Sequence, residues 1–138
     1  MLSNDESDRL AIRELIDRYS DAVNRTDAES WASTWSASGV WVLRSVRAEG
    51  RADILKTWKA AMAGFRAVFF MAFPGSIRID GDTAEAVTHT FEAMEPLDGP
   101  SRFQAGQYRD RLVREGGEWK FSERAFTPRA IRFPGAGG

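Results

Sequence analysis

His89 is the only histidine in this 138-residue chain, and there is no cysteine. Thiol nucleophiles, thiolate metal sites and disulfides are therefore excluded, and a two-histidine metal site cannot be built within one subunit. Histidine is the one side chain that titrates near neutrality without perturbation, which makes His89 the first acid–base candidate. Alternation argues against it. Over Thr83 to Met94, Ala84, Ala86, Thr88, Thr90 and Glu92 share one strand face, while Glu85, Val87, His89 and Phe91 share the other. If Glu92 points inward, His89 points to solvent or to another subunit. A carboxylate buried among aromatic rings rises in pKa and becomes a usable general base, the chemistry open to Glu92.

Three further residues have polar groups that chemistry could use. Tyr19 lies on the apolar stripe of a helical segment, so its hydroxyl needs a partner and could project into a cavity. Asp27 reads as the N-cap of a short helix, and a carboxylate there could instead serve as a base. Arg124 shares a strand face with Ser122 and Phe126, and a buried arginine needs a carboxylate or an anionic ligand, for which Asp27 or Glu92 would serve. The combined set is a base (Glu92 or Asp27), a hydrogen-bond donor (Tyr19) and an electrostatic stabiliser (Arg124).

The elements that must position them follow from periodicity. Ile12, Leu15, Ile16, Tyr19, Ala22 and Val23 form one helical stripe within 5–25, backed by the i,i+4 pairs Asp5–Arg9, Glu14–Arg18 and Asp21–Arg25. A short helix over 28–36 puts Trp31 and Trp35 on one face. A strand is predicted at Val40 to Leu43, and a third helix over 51–63 carries Ile54, Leu55, Trp58 and Met62. The period then changes to two. Strands are predicted over 66–79 (bent at Pro74-Gly75), 83–94, 104–113 and 119–127, with hairpin turns at Asp80-Gly81-Asp82 and Glu115-Gly116-Gly117. Three helices followed by an antiparallel or mixed sheet predict an α+β domain over 1–133, with a flexible tail at 134–138. A curved sheet covered in this way encloses a pocket, with Trp31, Trp35, Trp58, Phe70 and Phe73 as core or lining candidates. The apolar Phe69–Met71 side of its strand suits a dimer formed through the sheet.

The net charge of −1, from 19 basic and 20 acidic residues, is no nucleic-acid footprint. No window approaches the ~20 apolar residues of a membrane span, and the acidic N-terminus is unlike a signal peptide. Cytoplasmic residence, no cofactor, and a small hydrophobic ligand or substrate are the expectations.

The sequence resembles the SnoaL-like branch of the nuclear-transport-factor-2-like cone fold. The resemblance rests on Asp8 to Arg13, Tyr19 with Asp27, Trp35 before Val40-Trp41, Gly50, Ile77 to Ala84, Gly106 to Asp110, Trp119-Lys120-Phe121 and Phe126-Thr127-Pro128. It implies three helices wrapped on a cone-shaped sheet. It also implies an activity like that of hexachlorocyclohexane dehydrochlorinases and of bile-acid and scytalone dehydratases: a lyase or isomerase abstracting a proton from a hydrophobic cyclic substrate. An apolar-ligand binder or a dimeric interaction protein of the same fold is the alternative. Under the resemblance, the dehydrochlorinase aspartate falls on Asp27 and its arginine on Arg124. The bile-acid dehydratase tyrosine falls on Tyr19, and a strand carboxylate of that enzyme on Glu92. Trp35, Trp58, Phe70 and Phe73 would line the substrate pocket. The chain departs from the dehydrochlorinases at two places: Ala22 stands for their lysine, and Phe70-Met71-Ala72-Phe73 covers the position of their catalytic histidine.

Overall fold

The first helix, α1 (Asn4–Arg25), starts at Ser3, whose hydroxyl accepts the Glu6 N–H at 3.1 Å while the Ser3 N–H donates to the Glu6 carboxylate at 3.0 Å. This reciprocal cap satisfies donors that the first turn leaves open. All six residues of the predicted stripe are buried. On the outer side Asp5–Arg9 and Asp21–Arg25 close at 2.8 and 2.9 Å, and Glu14–Arg18 is not among the ion pairs of the described residues. The computed structural model describes residues 3–130, so the tail expected at 134–138 and the domain end at 133 lie outside the described residues.

The second helix, α2 (Ala28–Ala32), is shorter than periodicity suggested. Thr34 ends it: the hydroxyl donates to the Trp31 carbonyl at 2.7 Å, and the Thr34 carbonyl accepts the Phe121 N–H at 2.9 Å. A backbone group paired with a strand cannot continue a helix, so Trp35 opens β1 (Trp35–Val42). The predicted strand is the second half of that element. A three-residue strand, β2 (Arg47–Glu49), is too short to leave a periodic signal. The third helix, α3 (Arg51–Met62), follows Gly50, where φ is +87°.

Four long strands complete the chain: β3 (Phe65–Asp80), β4 (Thr83–Pro96), β5 (Arg102–Glu115) and β6 (Glu118–Arg129). The sheet order is β2-β1-β6-β5-β4-β3; β1 and β6 run parallel and all other neighbours antiparallel. Pairing along β3 is irregular between Pro74 and Ile77, where the bend was expected. Three rungs run across the inner face: Phe70–Glu92–Gln104, Thr88–Tyr108–Phe126 and Ala86–Asp110–Arg124. Because side chains alternate, one register places all nine on the same side.

The helices cover this face. Tyr19, Trp31, Trp35, Trp41 and Phe121 form an aromatic core, and Trp31 stacks on Trp58 with centroids 4.6 Å apart and planes 12° from parallel. Asn24 of α1 clasps the edge strand β3: its amide donates to the Phe70 carbonyl at 2.8 Å, and its oxygen accepts the Phe70 N–H at 2.7 Å. Backbone groups at a sheet edge otherwise lack a neighbouring strand, so this clasp ties α1 to the rung bearing Glu92. Among the described residues, no helix is long and apolar enough to cross a membrane.

Candidate active site

Between α1, α3 and the inner sheet face lies a cavity of about 420 Å³. Its wall is largely apolar: Val23, Trp41, Leu43, Trp58, Met62, Phe65, Val68, Phe70, Met94 and Phe126. The polar groups on it are few. Tyr19 comes from α1, Glu92 from β4, and Gln104 and Tyr108 from β5, while Arg44, Ser45 and Arg102 stand at exposed positions. A small convergent polar set in an apolar concavity is the usual form of a small-molecule site.

Glu92 is partly buried, and burial pushes its carboxyl up to about 7, with the Arg102 charge opposing. Near neutrality it therefore exists as a mixture of acid and carboxylate, suited to taking up a proton. Tyr19 and Tyr108 are 2% and 4% exposed. Burial raises both phenols above their ordinary value despite the nearby Arg124 charge, so both remain hydrogen-bond donors across the neutral range. Tyr108 is oriented from behind, since the Trp41 indole N–H donates to its oxygen at 3.1 Å. The Tyr19 hydroxyl is the neighbouring side-chain hydrogen-bond partner of the Tyr108 phenol, so the two hydroxyls are coupled in the wall.

Beneath the phenols is a sequestered ion pair. Arg124 Nε donates to Asp110 Oδ1 at 2.7 Å and Nη2 to Oδ2 at 3.2 Å, with neither side chain exposed. Thr88 donates its hydroxyl to Asp110 at 2.6 Å. The guanidinium carbon lies 4.4 Å from the Tyr19 ring centroid, 4.0 Å from Tyr108 and 4.2 Å from Phe121. A cation on the faces of electron-rich rings holds those rings in place.

The structure sorts the predicted residues. Tyr19, Glu92, Trp58 and Phe70 meet at the cavity. Asp27 does not: it caps α2, accepting the Ser30 N–H at 3.1 Å and the Ser30 hydroxyl at 2.8 Å, and pairs with Arg25 at 3.2 Å. These hydrogen bonds, the Ser30 backbone one foremost, hold its carboxyl below the ordinary value. Arg124 does not line the cavity, and its partner is Asp110 rather than Asp27 or Glu92, because strand register puts Asp110 directly opposite. Trp35 is completely buried in the core. Phe73 is 57% exposed on the outer face, since three residues along a strand reverse the direction that Phe70 takes. His89 is exposed on that same outer face, as alternation required.

Tyr108, Trp41, Gln104, Arg44 and Arg102 are among the cavity residues that sequence reasoning missed. The signal for two of them was available: Gln104, Gly106, Tyr108 and Asp110 alternate on one face of β5, as Glu92 and its neighbours do on β4.

The SnoaL-like domain matches residues 5–125, nearly the whole described chain. The chain belongs to the SnoaL-like family. Solved structures agree on the architecture. This SnoaL-like protein is similar to a proposed scytalone dehydratase from Novosphingobium aromaticivorans, with a TM-score of 0.82 and 21% identity over 89% of this chain and 85% of that one. It is similar to a type 2 hexachlorocyclohexane dehydrochlorinase, with a TM-score of 0.80 and 20% identity over 94% and 95% of the two chains. A proposed dehydratase of the NTF2-like family from Streptomyces avermitilis gives 0.79 and 19% over 91% and 98%. At such identities the likeness establishes the α+β cone and not the reaction. No functionally curated protein matches the sequence.

Proposed function

We propose that the cavity of this SnoaL-like protein carries out proton abstraction on a hydrophobic, ring-shaped substrate, as a lyase or isomerase. One observation carries this reading: Glu92, Tyr19 and Tyr108 converge on a single aromatic-walled cavity. The Glu92 carboxylate takes a proton from a substrate carbon. The freed electron pair forms a C=C bond and expels an adjacent chloride or hydroxide, or moves onto a neighbouring carbonyl as an enolate. Tyr19 and Tyr108 donate hydrogen bonds to the atom that gains negative charge. A departing hydroxide recovers the proton from Glu92 and leaves as water; a departing chloride leaves as the anion, and the proton passes to solvent. An enolate takes the proton back from Glu92 at a different carbon, completing an isomerisation. A dehydrochlorinase and two proposed dehydratases share this fold, which is consistent with elimination in this cavity.

Nitrobenzisoxazole tests the reading without knowledge of the natural substrate. A base removes its ring C–H proton, the N–O bond breaks, and a coloured phenolate forms. Turnover above buffer, rising through pH ~7 and falling at least ~100-fold in Glu92→Gln, is expected. Saturable binding with no turnover supports the second reading, a non-catalytic binder of apolar ligands, which is favoured by the lack of any histidine in the cavity wall. The homodimer expected through the sheet belongs to this proposal too. Phe69 and Phe73 are 55% and 57% exposed on the outer face, and sedimentation velocity decides it.

A further inference from the structure

We infer that the substrate of this cavity carries an anionic group, of the kind a carboxylate supplies, at the end opposite its apolar ring body. The inference rests on the cavity being the working site, and it concerns what the rim recognises rather than what the base does. Arg44, in the turn between β1 and β2, and Arg102, at the start of β5, both line the cavity and both are exposed. They reach the same opening from elements far apart in sequence.

Among the described residues, Arg44 and Arg102 are the arginines that both line this cavity and lack a carboxylate partner; Arg13, Arg18, Arg109, Arg111 and Arg129 also lack one but lie outside the cavity wall. Arg9, Arg25, Arg47, Arg51, Arg66, Arg78, Arg114 and Arg124 each have a carboxylate within ion-pair distance. Among the described residues, neither Arg44 nor Arg102 has one. The guanidinium of Arg102 instead lies 5.7 Å from the ring centroid of Phe65, itself part of the cavity wall, so its charge is held over the opening. Glu92 is the sole carboxylate on the wall, set across a strand pair from Gln104 rather than from either arginine. Even with Glu92 ionised, the two arginines outweigh the one carboxylate and the lining keeps a net positive charge. Low-dielectric walls concentrate such a field at the mouth, where it favours an anion and orients it outward while the ring enters. An arginine pair also binds a carboxylate through directed N–H donors, which a neutral substrate would leave unused.

Pyrenebutyric acid and pyrenebutanol share one ring and chain and differ only in the terminal group, so their affinities isolate the contribution of the anion. Each is titrated by fluorescence into the wild-type protein, Arg44→Gln/Arg102→Gln and the cavity-filling Val68→Trp, at low and at raised salt. The acid is expected to bind about tenfold more tightly than the alcohol, with the advantage shrinking in salt. It should vanish in the double variant, where acid and alcohol are expected to bind alike. Equal affinities in the wild type, or an acid preference that survives in the double variant, overturn the inference and leave the cavity reading intact. If Val68→Trp, shown to be folded by its unchanged circular dichroism, weakens neither probe, the cavity is not the binding site and both readings fall. Ala61→Trp fills the same wall from α3 and replaces Val68→Trp should that variant misfold.

Discussion

Asp110 and Arg124 stand directly opposite each other on β5 and β6 and meet in a two-point ion pair with no exposed surface. Thr88 completes the carboxylate's hydrogen bonding from β4, and three aromatic rings enclose the guanidinium. A buried pair of this kind contributes little net stability over apolar residues of the same volume, but half of one is costly. Asp110→Ala therefore leaves Arg124 charged and unpaired in the core, and should lower unfolding free energy by about 3–5 kcal/mol in urea denaturation. Asp110→Leu with Arg124→Met should recover most of that loss. The double variant should still lose activity, because Tyr19 and Tyr108 no longer rest on a cation.

Glu92 sets stability against function. Its folded pKa of about 7 lies above the ordinary carboxylate value of 4.5, so the fold favours the protonated form. The unfolded chain then holds fewer protons between those values, and stability falls as pH rises from about 4.5 through 7. Arg102 is the cation whose charge acts on it, Arg44 is the other cation on the wall, and Tyr19 and Tyr108 are the other titratable groups there. Glu92→Gln should stabilise the protein at pH 8 by on the order of 1–2 kcal/mol and leave it unchanged near pH 4, as read from thermal melts at both. Activity should run the opposite way, rising with pH in the wild type and absent in the variant.

The two phenols are separable. Tyr19→Phe and Tyr108→Phe each remove one donor to the developing charge, and each should lower kcat roughly 100-fold with KM little changed. Trp41→Phe removes the N–H that orients the Tyr108 hydroxyl while keeping an aromatic ring in the wall, and a loss of about tenfold is expected. Steady-state kinetics on nitrobenzisoxazole order the three.

Gly106 is required by the packing of the cavity wall. A Cβ there would lie 2.2 Å from Phe126 Cζ and 2.3 Å from Cε2, well inside contact distance. Gly106→Ala must displace Phe126, which packs on Tyr108 with centroids 5.1 Å apart. A destabilisation of about 1–3 kcal/mol and weaker ligand binding are expected. Phe126→Leu in the same chain should restore part of both, and denaturation with probe titration measures the recovery.

Asp27 should behave as a cap. Asp27→Asn keeps an oxygen for the Ser30 N–H and should melt close to the wild type, whereas Asp27→Ala should lower Tm by a few degrees. Neither should change kcat per folded molecule. A selective loss of kcat in Asp27→Asn would return this carboxylate to the site.

Local pattern was enough to give the faces of α1 and α3, the four long strands and the inward direction of Glu92 against the outward one of His89, but not the face of α2, which ends before Trp35. Those features depend on periodicity, which is a property of neighbouring residues: the stripe from Ile12 to Val23 and the alternation from Ala84 to Glu92 are each contained within one element. Asp27 as a cap was likewise legible, because its partner Ser30 is three residues away. What sequence could not supply were relations between strands. Register decided that Arg124 meets Asp110, 14 residues earlier, rather than Asp27 or Glu92, and that Tyr108 faces the same cavity as Tyr19. It also turned Phe73 outward once Phe70 faced in. The absence of cysteine and the single histidine excluded thiol and paired-histidine chemistry from the start. Only tertiary packing desolvated a glutamate beside two phenols, because desolvation is a property of the assembled wall and of no segment alone.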